Sequence, residues 1–138
     1  VEYKAQIELF HRLFFTLAPD DKFIKENIEK SLYIIDDSGK KEYANLREKG
    51  FYNQLISSNS MVTVHADSIK IDSEKRKFIY YGKETINRKS AIIIRNLITE
   101  GFFEDMIRSP TNPHGVLLKN WRIIDNSEVS NEAKYNSF

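Results

Sequence analysis

There is no cysteine anywhere in the chain, and that one absence removes disulfide scaffolds, thiolate metal sites and thiol nucleophiles together. No glycine-rich phosphate loop, P-loop or nucleophile elbow is present, which lowers the standing of enzymatic readings. The longest apolar runs, such as Ala91 to Ile94, are far short of the ~20 residues that cross a bilayer. An excess of either charge is missing as well: 21 basic residues nearly balance 20 acidic ones, for a net charge of +1. That is a poor electrostatic footprint for duplex binding. The three histidines, His11, His65 and His114, have no metal-ligand spacing among themselves or with carboxylates, so neither a metal nor a cofactor is expected.

What is present is the composition of one soluble globular domain: 138 residues, 41% hydrophobic and 30% charged, enough for a single core. Tyr3, Ile7, Phe10, Phe14 and Leu17 recur at helical spacing and predict a helix over about 2–18 with an aromatic seam. After Pro19, Asp20 or Asp21 can cap a second helix, whose Ile24, Ile28, Leu32 and Ile35 repeat as far as Asp36. Asp36 to Gly39 reads as a turn cluster, and Tyr43, Leu46, Leu55 and Ile56 mark a third helix that Gly50 can split.

From Met61 the period changes to two. Val62, Val64 and Ala66 alternate with polar neighbours, and the apolar set resumes out of step at Ile69 and Ile71, which predicts a β-bulge near Asp67 and Ser68. Further strands are predicted over 77–87, 91–99 and 116–124, joined by short polar turns at 72–76 and 87–90. Residues 101–111 suit either a helical turn or a continued strand. The polar tail from Asp125 is expected to fray, with Tyr135 or Phe138 able to dock. Helices first and strands after give one α+β domain: 1–58 mainly helical, 61–124 mainly a four-stranded antiparallel sheet, 125–138 a polar tail.

Several residues carry a chemical or binding alternative. Asn112-Pro113-His114-Gly115 should form a stiff, outward-facing bend, because Pro113 fixes its own φ, restricts Asn112, and is followed by a glycine free to take φ > 0. Such a bend serves as a plain connector or as a docking knob. His65 and Asp67 alternate on one strand and, with Tyr80, are candidates for an acid/base or ligand pocket; a satisfied surface pair is the blander reading. His11 reads as a helix-edge residue, and Trp121 as core. Arg88, Lys89 and Arg95 could touch a nucleic-acid strand if they formed a continuous basic surface.

Read in order, Phe10–Phe15 (FHRLFF), Leu17–Asp21 (LAPDD), Lys49–Tyr52 (KGFY), Thr99–Gly101 (TEG) and Asn112–Gly115 (NPHG) resemble the conjugative-transposon TraK family. That family is similar to the soluble part of the eighth VirB component of type IV secretion systems. The resemblance implies a cystatin-like, nuclear-transport-factor-two-like fold with helices on a curved four-stranded sheet. It also implies a non-enzymatic assembly factor of a conjugative channel, periplasmic and held to the inner membrane by a helix upstream of Val1, that self-associates and recruits other channel subunits. An Asn-Pro-any-Gly loop in those relatives is associated with subunit contacts, which implies the same role for Asn112, Pro113 and Gly115. The alternative is a ligand-binding or enzymatic domain that uses the concave face of the same fold.

Overall fold

α1 (Tyr3–Phe15) buries the expected seam of Ile7, Phe10 and Phe14 but also two polar residues, Gln6 and His11, each 0% exposed. A computed structural model of the chain describes residues 2–134; the docking expected of Tyr135 or Phe138 lies outside the described residues. α1 stops at Phe15, short of the predicted Ala18, because Thr16 turns extended and Leu17 exchanges backbone hydrogen bonds with Val62. α2 (Asp21–Leu32) starts on Asp20, whose carboxylate accepts from Phe23 N at 2.9 Å.

The segment read as a turn at Asp36–Gly39 is instead the start of α3 (Asp37–Glu48). Asp36 is the N-cap and accepts from Ser38 N at 3.0 Å; a cap and a turn draw on the same residue types, so the sequence signal is shared. Gly50 at φ 79 breaks the third helical stretch as expected, and α4 (Phe51–Ser57) follows.

The strands are β1 (Met61–Asp72), β2 (Lys77–Asn87), β3 (Ala91–Asp105), β4 (Val116–Asp125) and β5 (Glu128–Ala133). Among the described residues they form one antiparallel sheet in the order β1-β2-β3-β4, with β5 also on β3. The register of β1 against β2 shifts between Ala66 and Ser68, where the slip in alternation predicted a bulge. β3 runs on to Asp105, which settles 101–105 as continued strand.

The fifth strand corrects the expected four and the expected frayed tail. β4 pairs with Ile98–Asp105 and β5 with Ala91–Arg95, so the two lie in succession along one edge of β3. Asn126 bridges the join by donating its amide to Asn96 O at 2.9 Å.

The helices cover one face of the sheet. β2 alternates without a break, its even-numbered residues Phe78 to Ile86 buried. On β4 the alternation fails: Leu118 and Trp121 are both buried, whereas strict period two would have set them on opposite faces. Asn120, at φ 48, is the extra residue of a bulge. Its freed N–H donates to Asp36 Oδ2 at 3.1 Å, and that of Trp121 to Ser38 Oγ at 2.9 Å. The cap of α3 therefore also completes the β4 backbone. Trp121 then packs edge-on to Phe10 and Phe14, with ring centroids 4.9 and 5.2 Å away.

His11 corrects the helix-edge reading. It lies flat on Tyr80, 3.7 Å between ring centroids. Nδ1 is 2.6 Å from Ile7 O and Nε2 is 2.6 Å from Thr99 Oγ1. A carbonyl can only accept, so Nδ1 carries the proton and Nε2 accepts from the Thr99 hydroxyl. Burial drives the imidazole pKa from 6.5 down to about 3.

Candidate functional site

The Asn112–Gly115 turn closes a loop of residues 106–115 that joins β3 to β4, and its parts face opposite ways. Pro113 is exposed and His114 half-buried, but Asn112 is buried, which corrects the expectation of a bend facing outward throughout. The Asn112 side chain points into the protein. Its Oδ1 accepts from Gln6 Nε2 at 2.9 Å, Gly115 N at 3.1 Å and Val116 N at 3.4 Å. Its Nδ2 donates to Val116 O at 2.9 Å and to the Met106 sulfur at 3.0 Å. Gln6 adds a second bond from Nε2 to Val116 O at 2.7 Å. One buried amide on α1 thus fixes a loop 106 residues away.

Gly115 closes the turn at φ 65. A Cβ built there would lie 2.8 Å from both Arg108 Cγ and Met106 O, so glycine is required both by backbone hand and by space. Met106 N donates to Gly115 O at 2.9 Å, and Ser109 and Asn112 exchange backbone bonds at 3.1 Å.

The outer surface of this rigid loop is mixed. Ile107 is 89% exposed and Met106 43%, an unusual presentation for an isoleucine. Beside them an open groove of about 360 Å³ is lined by Glu2, Tyr3, Asp105, Arg108, His114 and Val116. Arg108 pairs with Glu2 at 2.7 Å, and His114 Nδ1 stands 3.9 Å from the same carboxylate. Tyr3 OH donates to Asp105 at 2.9 Å, and Arg76 pairs with Asp105 at 3.3 Å. These contacts tie the start of α1 to the far end of β3.

The three pocket candidates do not converge. His65 faces Lys83 across the β1–β2 ladder, on the face away from the helices, and its Nε2 is 3.8 Å from Asp67. Asp67 also pairs with Lys83 at 3.1 Å. Tyr80 has the opposite parity on β2 and is 1% exposed beneath His11; burial raises its pKa. The arginines and lysine considered for strand contact are likewise divided, since Lys89 is exposed in the β2–β3 turn while Arg95 faces inward across from Glu84. No helix among the described residues is long and apolar enough to cross a membrane.

Sequence reasoning found the turn and missed what surrounds it. Gln6 sits among apolar seam positions, and only its partner across the fold gives it meaning. Met106 and Ile107 were visible as apolar residues, but their exposure was not.

No protein-family model matches the sequence, and no curated protein matches it. Solved structures do. The soluble domain of the TrwG type IV secretion machinery of Bartonella grahamii is similar with a TM-score of 0.73 at 12% identity, over 90% of this chain and 93% of that one. The VirB8 protein of Agrobacterium tumefaciens is similar with a TM-score of 0.71 at 10% identity, over 90% of each chain. CagV of Helicobacter pylori, a VirB8 homolog, is similar with a TM-score of 0.61 at 10% identity, over 89% of this chain and 99% of that one. The chain therefore has the α+β, nuclear-transport-factor-two-like fold of these domains.

Proposed function

We propose that the chain is a non-catalytic assembly domain of a type IV secretion channel, of the conjugative TraK kind, that docks other subunits through the 106–115 loop. The supporting observation is the loop's division of labour. Asn112 and Gly115 lock its shape from inside, while Ile107, Met106 and Pro113 present an apolar tip to solvent. The likeness in fold to secretion components over nine-tenths of the chain supports channel subunits and further copies of this domain as the partners of that tip. A periplasmic setting on one membrane would raise the effective concentration of the copies, so weak contacts would suffice. The whole chain, residues 1–138, acts as one unit in this reading. A catalytic role has less support, because His65 and Asp67 lie on the opposite face of the sheet from Tyr80.

Because Ile107 is 89% exposed, Ile107→Glu should leave stability within about 0.5 kcal/mol of wild type. Crosslinking to channel subunits and conjugative transfer should each fall by about tenfold, as expected for loss of an apolar anchor. Unchanged crosslinking in the folded variant would remove the loop from the interface.

A further inference from the structure

At the other end of β3 from the docking loop, Arg88 and Arg95 line a single small cavity beneath α4, together with Leu55, Ser60, Val62 and Ile86. Arg12, Arg76, Arg108 and Arg122 have carboxylate partners and Arg47 lies over the Tyr43 ring; neither Arg88 nor Arg95 is in an ion pair among the described residues. Arg88 Nε is buried and finds no acceptor in the protein. A buried N–H donor without an acceptor is costly, and a low-dielectric floor of Leu55, Val62 and Ile86 strengthens any charge that meets it.

The carboxyl paired across the ladder with Arg95 is a weak counter-ion. Glu84 faces Arg95 across the ladder, but burial pushes its pKa up and its Oε1 already accepts from Asn126 at 2.9 Å. Two guanidiniums against one such carboxyl leave the cavity positive.

Size selects the anion. The cavity measures about 30 Å³, room for roughly two water-sized atoms, which suits the two oxygens of a carboxylate and is small for a ring or a tetrahedral phosphate. Arg88 also lines the adjoining open groove of about 410 Å³, where Met61, Asn87, Lys89 and Lys134 are its neighbours. We infer that this cleft is a carboxylate-binding site, with Arg88 as the forked donor at its mouth and Arg95 behind it. The carboxylate can come from a free small acid or from an acidic side chain of a polypeptide lying in the basic groove.

The test is titration of the labelled protein, observed at the arginine Nε–H resonances, at constant ionic strength with chloride as the balancing anion. The probes are acetate, an end-blocked glutamate-rich peptide and inorganic phosphate. Acetate should produce saturable shifts at Arg88 and Arg95, and Arg88→Gln should weaken binding by at least about tenfold, the loss of one charge-assisted pair. A peptide that binds at least about tenfold more tightly than acetate supports an acidic polypeptide as the occupant, since Lys89 and Lys134 then contribute. Equal affinities support the site with a free acid as its occupant. Shifts that match those in chloride, shifts that persist in Arg88→Gln, or phosphate binding more tightly than acetate would each overturn the assignment. Arg88→Lys, which keeps the charge and loses the fork, gives the same readout if Arg88→Gln fails to fold.

Discussion

The stability of the protein is expected to drop by about 2 kcal/mol between pH 6.5 and pH 5 through His11 alone, at ~1.4 kcal/mol per pH unit. In the native state the ring is neutral, with a pKa near 3 against 6.5 when unfolded. Below pH 6.5 the unfolded chain therefore binds a proton that the native chain refuses, and stability falls as pH falls. The contribution is fully present above 6.5 and gone by about pH 3. Glu84 works in the opposite sense. Its native pKa is raised by burial, so it favours the native state at low pH and loses that effect as pH climbs above 4.5. Comparing wild type with His11→Gln by urea unfolding across this range cancels Glu84 and isolates the histidine. A difference between the two proteins that stays constant from pH 7 to pH 5 would refute the assignment of a buried neutral ring.

Substitutions inside the loop turn should act first on folding. Asn112→Ala strips five hydrogen bonds from a residue that is 1% exposed. Gln6 Nε2 keeps only Val116 O, and the N–H groups of Gly115 and Val116 lose their side-chain acceptor. The expected cost is about 2–4 kcal/mol, the price of several buried polar groups losing partners at once. Gly115→Val forces a branched residue to φ 65 and sets its Cβ 2.8 Å from a backbone oxygen, so about 3 kcal/mol is expected from backbone strain and overpacking together. Thermal or denaturant unfolding checks both. If either variant is as stable as wild type, the internal clamp described for the loop is wrong. The same result decides how conjugation data should be read, because only exposed changes such as Ile107→Glu separate docking from folding.

Several elements were legible because they depend on neighbours in sequence. The seam of α1 and the break at Gly50 follow from local spacing and backbone preference, and the bulge near Ser68 follows from a phase slip in alternation. β5 left no such trace. Its residues are almost all exposed on both faces, so there is no apolar alternation to find; it exists because β3 offers a free edge along Ala91–Arg95. The Asn120 bulge was hidden for a related reason, since the groups that accept its freed donors, Asp36 and Ser38, lie more than 80 residues earlier.

By itself the sequence determined the class of fold, helices followed by an antiparallel sheet, and the position of a rigid Asn-Pro-His-Gly turn. Period, caps and turn residues are short-range, and their signals lie within a few residues of one another. Only the tertiary structure decided which polar side chains go inside. His11 answers to Thr99, Asn112 to Gln6, and Glu84 to Asn126. A polar group can be buried only where a distant partner replaces the water it loses, and the fold alone brings such partners together. The same packing turned Asn112 inward and left Ile107 outside, and so moved the candidate contact from the turn's own letters to the tip they hold in place.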